Sequence, residues 1–165
     1  MCIRDRFDVT GKITKAWSVN LGYSYLDTRI MSDTSVAQTV NGVAVMIPNT
    51  FSIGKEIYYA PKNSATLWTT YALGGRLKGL TIGGGVTYQD RVYTNYVYIT
   101  PTSGNTYSAP DTIDYSSLIQ YRWRRYSFSM NGYNLTNRLN YSQVYTNRVV
   151  PEQGRTFIFS VGASF

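Results

Sequence analysis

The 165-residue chain has no histidine, one cysteine (Cys2) and only nine acidic residues. Without histidine it lacks the side chain most often used for proton transfer near neutral pH and for binding metals. A single cysteine allows neither an internal disulfide nor a thiolate metal cluster. The carboxylates are scattered. Asp111 and Asp114 stand three apart, which on a strand places them on opposite faces. The glycines at 83–85 are not followed by the Lys-Ser/Thr of a phosphate loop. No nucleophile motif is present either, so the chain does not read as an enzyme, and no metal site or resident cofactor is expected. Long apolar runs are also missing: nothing approaches the ~18 residues of a spanning helix. A mean hydropathy of −0.24 suits alternating strands. The opening MCIRDR is charged with no apolar core behind it, so it does not read as a signal peptide.

What the chain does have is aromatic residues: 16 Tyr, 6 Phe and 3 Trp. Their arrangement is plainest in the last stretch, Gly154 to Phe165 (GRTFIFSVGASF). Phe157, Phe159, Val161, Ala163 and Phe165 occupy every second position, with mostly small or polar residues between them. Successive strand residues face opposite sides of a sheet, so one side of this strand is apolar throughout. A terminal phenylalanine on that side suits contact with lipid better than a frayed end in water.

The same period of two recurs along the chain. Phe7 to Thr14 reads as the end of a strand with a turn at Lys15-Ala16, and Trp17 to Thr28 follows with Trp17, Val19, Leu21, Tyr23 and Tyr25 on one face. Further strands are expected at Lys62 to Leu73, Leu80 to Tyr88, Ile113 to Arg122 and Tyr126 to Thr136, before the terminal one. Residues 31–60 show no sustained strand pattern, although Asn41-Gly42 favours a small hairpin. Long loops are expected from about Tyr93 to Pro110 and from Leu139 to Gln153. Short and long connections therefore alternate strictly. Short turns at one end, long loops at the other and two aromatic belts describe an outer-membrane barrel. Trp17, Tyr71, Tyr121, Trp123, Tyr126 and Phe165 lie near the short-turn end, and Tyr23, Tyr25 and Tyr88 toward the loops. A β-sandwich would also alternate, but it explains neither the belts, nor the long strands, nor the terminal aromatic.

An all-β, antiparallel transmembrane barrel fragment of about seven strands is thus expected. Seven strands alone would leave two edges of unpaired backbone groups in lipid, each group costing several kcal/mol. The chain is therefore read as the C-terminal piece of a larger barrel, the alternative being a sheet that closes with partner copies. MCIRDR looks like a scar at the start of a metagenomic fragment, so residues 1–6 are read as a non-native start and 7–165 as barrel.

Net charge is +7. Lys12 and Lys15, Arg76 and Lys78, and Arg122, Arg124 and Arg125 form three clusters, one at each short turn. Cations spaced around one rim of a sheet suit anionic membrane phosphates, and no nucleic-acid partner is expected.

The segments TGKITKAWSVNLGYSYLDTRI, APKNSATLWTTYAL, GLTIGGGVTYQDRVY, NGYNLTNRLNY and GRTFIFSVGASF, in that order, resemble the C-terminal barrel of TonB-dependent siderophore receptors. The resemblance implies the last seven strands of a barrel of about 22 strands, plugged by an N-terminal domain absent here. It implies uptake of a ferric siderophore across the bacterial outer membrane, energised by the TonB complex through that plug, with iron carried as part of the substrate. Arg91, Tyr93, Tyr96, Tyr98, Tyr107, Tyr145 and Arg148 in the long loops are the candidate ligand contacts, the rings stacking and the arginines offsetting negative charge. The alternative for these tyrosines is packing loops together. Phe157, Phe159, Val161 and Phe165 are the implied signal for the barrel-assembly machinery. A passive porin or a β-rich surface adhesin is the alternative function. Two glycosylation-like triplets, at Asn134 and Asn140, are read as chance.

Overall fold

The computed structural model describes residues 2–40, 42–100, 102–145 and 148–164. In chain order it holds β1 (Cys2–Lys12), β2 (Trp17–Thr28), β3 (Val36–Val40), β4 (Val43–Ile47), β5 (Asn63–Ala72), β6 (Leu80–Gln89), β7 (Val92–Thr100), β8 (Ser103–Ala109), β9 (Thr112–Trp123), β10 (Tyr126–Tyr133), β11 (Tyr141–Tyr145), β12 (Arg148–Pro151) and β13 (Thr156–Ala163). Seven strands make one sheet in the order β1-β2-β5-β6-β9-β10-β13, every neighbouring pair antiparallel. The six others form three separate hairpins, β3–β4, β7–β8 and β11–β12.

Register carries the period of two from strand to strand, because residues paired across a ladder share a face. Val9, Leu21, Leu67, Val86 and Tyr115 form one row across five strands. Tyr71, Ile82, Ile119, Met130 and Phe159 form a second row nearer the short turns. Most of these side chains are exposed, Leu67 at 39% and Phe159 at 73%, with Leu21, Val86 and Met130 half-buried. So large an apolar face would drive association in water. Against acyl chains it is the favoured surface. Two of its polar handles are paired: Trp17 Nε1 donates to Thr69 Oγ1 at 2.7 Å, and Tyr23 Oη donates to Asn63 Oδ1 at 2.8 Å.

The opposite face is small and polar, with Asp8, Gly22, Thr66, Thr87 and Asp114 in one row. On it Trp68 packs against Gly85, where an added Cβ would collide with the indole and sit 2.6 Å from the Leu67 carbonyl oxygen. Glycine is required there. The same residue type also closes the tight β5–β6 turn: Gly79 has φ +98°, and a Cβ on it would strike the Arg122 carbonyl.

The three short turns and the three long connections fall at opposite ends, as the sequence predicts. Two of the long connections differ from expectation. Residues 93–110 and 139–153 read as loops, yet each holds a hairpin of its own, β7–β8 and β11–β12. Register irregularities at Tyr93/Asn95, Tyr98/Thr100 and Tyr141/Gln143 interrupt the alternation by which a strand is recognised. The hairpin expected around Asn41-Gly42 is present as β3–β4, with Gly42 at φ +79° and Asn41 itself outside the described residues. β10 stops at Tyr133, three residues short of expectation, because Asn134 turns left-handed at φ 48°. β1 starts earlier than expected, with Cys2–Arg6 paired to Thr28–Ser24.

Candidate functional site

Among the described residues of the seven-stranded sheet, Gly132 alone is buried. The loop end is different. Buried residues gather there: Asn49, Ser52, Tyr96, Ala109, Asn134 and Asn140.

The first cluster joins the 29–62 connection to hairpin β7–β8. Tyr96 is 1% exposed and its hydroxyl donates to the Glu56 carbonyl at 2.7 Å. Its ring lies 5.0 Å from Tyr58, 6.0 Å from Tyr93 and 6.3 Å, edge-on, from Phe51. Centroid separations of ~4.5–7 Å are those at which aromatic pairs attract beyond their buried area. The backbone adds a tie, Tyr59 N–H to the Tyr93 carbonyl at 2.8 Å. Lys55 Nζ sits 2.9 Å above the Phe51 ring and 4.9 Å from the Tyr96 centroid. Burial lowers the Lys55 pKa from its ordinary value, while the two ring faces attract its charged form. Beneath the rings, Asp33 anchors the connection, accepting from Ser52 Oγ at 2.5 Å and from the Thr34 amide at 2.7 Å.

The second cluster ties the last connection to β9 and β10. Asn134 Nδ2 donates to the Arg138 carbonyl at 2.8 Å, while its Oδ1 accepts from the Arg138 amide at 3.0 Å. Leu135 N–H reaches the Tyr115 carbonyl at 3.0 Å, and Asn140 Nδ2 the Ile113 carbonyl at 3.1 Å. Arg155 N–H caps onto Asn137 Oδ1 at 3.0 Å. The Arg138–Asp111 ion pair at 3.1 Å is half exposed on both sides and adds only ~0–1 kcal/mol. Asn134 at 3% and Asn140 at 1% exposure are spent on this knot, which accords with reading the two triplets as chance.

The predicted ligand contacts separate accordingly. Arg91, exposed, and Tyr93, half-buried, line a groove of about 280 Å³ with Glu56, Lys62, Asp90 and Asp111. Tyr96 is packed inside the first cluster and holds the two loops together. Tyr107 is 48% exposed on β8, opposite Asn95. Tyr98 pairs with Gly104, and Tyr145 with Arg148; the side chains of Tyr98, Tyr145 and Arg148 lie outside the described residues. β11 approaches β7, so these hairpins neighbour each other. Phe157, Phe159 and Val161 stand exposed on the apolar face of β13, and Phe165 lies outside the described residues. Sequence reasoning missed Phe51, Lys55 and Tyr58. They sit in a stretch with no period, where only the density of rings in FSIGKEIYY hints at packing.

The arrangement gathers aromatic rings, cations and hydrogen-bond donors at the loop end. No protein-family model matches the chain. It is 27% identical over 159 residues to the probable TonB-dependent siderophore receptor PiuA of Acinetobacter baumannii, covering 95% of this chain and 20% of that protein. It is 28% identical to the ferric-pyoverdine receptor PbuA of a Pseudomonas species, covering 96% of this chain and 17% of that one. The crystal structure of PiuA superposes with a TM-score of 0.80 at 24% identity, over 98% of this chain and 21% of PiuA. The ferripyoverdine receptor of the Pseudomonas aeruginosa outer membrane, solved bound to ferripyoverdine, superposes at 0.72 and 21% identity, over 97% of this chain and 19% of that one. The chain thus spans about a fifth of the length of the relatives it matches. The resemblance to TonB-dependent siderophore receptors holds almost end to end, and the fold is that of their barrel wall. Its strands cross the bacterial outer membrane.

Proposed function

We propose that this chain is the C-terminal part of the wall of an outer-membrane receptor that takes up a ferric siderophore. The observation that carries the reading is the match along 95% of the chain to a relative described as a siderophore receptor, together with the superposition on its barrel. In this reading the apolar face holds the wall in lipid, the polar face lines the passage, and the tyrosine-rich connections meet the ligand from outside. Arg91, Tyr93 and Tyr107, which keep exposed surface, are the first candidates for contact. The protein binds and transports and performs no catalysis. Iron passes as part of the substrate.

The rest of the barrel, the plug and the segment on which the TonB complex pulls belong to the remainder of the protein. The β13 residues Phe157, Phe159 and Val161, with Phe165, serve as the signal read by the barrel-assembly machinery. The test is growth of a strain deleted for the full gene, with single ferric siderophores as the only iron source. Loss of growth on one of them is expected, restored by the intact gene. Unchanged growth on every siderophore the parent strain uses overturns the proposal.

A further inference from the structure

Strand register divides the basic rim between the two faces of the sheet. Arg122 pairs with Ser127, and Ser127 with Gly162, so all three share the polar face. A Cβ on Gly162 would stand 2.8 Å from Ser127 Oγ, which fixes those two on one side. Lys12, paired with Ser18, lies on that face as well. Arg124 leans the other way: it turns left-handed at φ 51°, and its guanidinium lies 5.6 Å from the Trp123 ring. Arg125 holds the end of the last strand, its carbonyl accepting from the Ser164 amide at 2.9 Å. Arg122 and Arg125, with Ser127, Gly162 and Ser164, line an open groove of about 290 Å³.

The polar face has its carboxylates elsewhere. Asp8 and Asp114 lie in one row nearer the loops, and both have partners. Asp8 pairs with Arg6, and Asp114 accepts from Ser116 Oγ at 2.8 Å. Between that row and the short turns the face carries Lys12, Arg122 and Arg125 and no acidic residue. No ion pair among the described residues involves these three cations. Charges facing a barrel interior are less screened than those on an open surface, so they favour an anionic neighbour.

The surface above the two arginines narrows what that neighbour is. Gln120, Ser129 and Ser160 form the next row, and Leu118, Asn131 and Ile158 the one after it. Ile158 is 48% exposed on a face that is otherwise small and polar. From Arg122 to Leu118 is four residues of strand, ~13 Å. Charge, hydrogen-bonding groups and apolar surface follow one another over that length. A small anion would use the groove alone, whereas a polypeptide segment can match all three.

We propose that the polar face of β9, β10 and β13 docks a carboxylate-bearing polypeptide segment from the remainder of the same protein. Its carboxylates pair with Arg122 and Arg125, whose guanidinium forks match them, and its apolar side chains cover Leu118 and Ile158. This chain spans about a fifth of the length of its relatives, which leaves ample further polypeptide to enter the barrel. The inference rests on reading the chain as part of the wall of a larger receptor.

The test uses the full-length receptor carrying this segment, folded in mild detergent and checked by heat-dependent gel mobility. Arg122→Lys keeps the charge and supplies an amine that a carbodiimide joins to a carboxylate in ion-pair contact. Tandem mass spectrometry should find position 122 joined to an Asp or Glu of the same polypeptide, outside these 165 residues. Should that variant not fold, Gln120→Lys, one step up the same face, is coupled instead and judged by the same criterion. The charge reversal Arg122→Glu with Arg125→Glu should speed amide exchange in the joined segment about tenfold, leaving β9 and β10 unmoved. Coupling only to a separate protein, or no coupling, overturns the proposal, as does unchanged exchange in a folded reversal variant. Absence of coupling, with ferric citrate retained by the parent and not by the reversal variant, assigns the arginines to a small anion instead. Coupling in a receptor whose deletion leaves growth on every siderophore unchanged upholds the docking and overturns the uptake reading alone.

Discussion

The two ends of this barrel wall are built on opposite principles. At the short-turn end the chain reverses in a few residues, buries nothing and leaves its cations outside. At the loop end it runs for 22 to 34 residues at a time and makes nearly all of its enclosed structure, with rings packed around Tyr96 and asparagines knotted around Asn134. The sheet between them has no interior of its own. One face meets lipid and the other the barrel interior, so its side chains need partners that are not protein core. A membrane wall takes its stability from closed backbone ladders and from the solvent around it. Its water-facing loops need cores of the usual kind.

Four perturbations probe that contrast, from the largest expected effect to the smallest. Asn134→Ala removes a donor and an acceptor that the Arg138 backbone needs, inside a knot 3% exposed. It should lower the stability of the full-length receptor by about 4 kcal/mol, read as a lower urea midpoint for unfolding. An unchanged midpoint would show that the knot does not hold the last connection.

Leu67→Arg places a charge on the apolar face near mid-membrane and should cost about 3 kcal/mol on refolding into vesicles. Thr66→Arg, one residue along on the polar face, should cost less than about 1 kcal/mol. Equal costs would contradict the assignment of faces.

Tyr96→Phe deletes the hydroxyl bond to Glu56 and keeps the ring. About 1 kcal/mol of docking between the two loops should be lost. Cleavage by an aromatic-directed protease within residues 51–59 should speed up about fivefold, with global unfolding unmoved.

The smallest effect concerns pH. Burial lowers the Lys55 pKa below its ordinary 10.5 when the loops are docked, so the docked form binds fewer protons than the undocked one. Docking should therefore strengthen as pH rises through the lowered pKa toward 10.5. Spin labels at Ile53 and Tyr107 should report a narrower distance distribution at about pH 9.5 than at about pH 7. Lys55→Met should abolish the difference.

The same contrast decides how much was legible in the sequence. The wall was readable residue by residue, because a sheet wetted by lipid on one side imprints a period of two. Val9, Leu21, Leu67 and Val86 announce their face without knowledge of any partner. The loop end left no such imprint. Tyr96 and Tyr107 look alike in sequence, yet one is 1% and the other 48% exposed, because their environments depend on a connection forty residues away. Phe51, Lys55 and Tyr58 carry no periodic signal, and the bulges in β7 and β11 erased the alternation that would have marked those hairpins. Asn134 and Asn140 resembled modification triplets, while their backbone angles and buried amides belong to a knot that only the fold brings together.

The central claim is that one face of these strands meets lipid and the other the barrel interior. Spin labels placed singly along Thr112–Trp123 of the full-length receptor in vesicles test it most directly, with collision rates measured for oxygen and for a water-soluble nickel complex. Oxygen accessibility should peak at Ile113, Tyr115, Ser117, Ile119 and Tyr121 and fall at the residues between. A flat profile, or maxima at Asp114, Ser116, Leu118 and Gln120, would contradict the account.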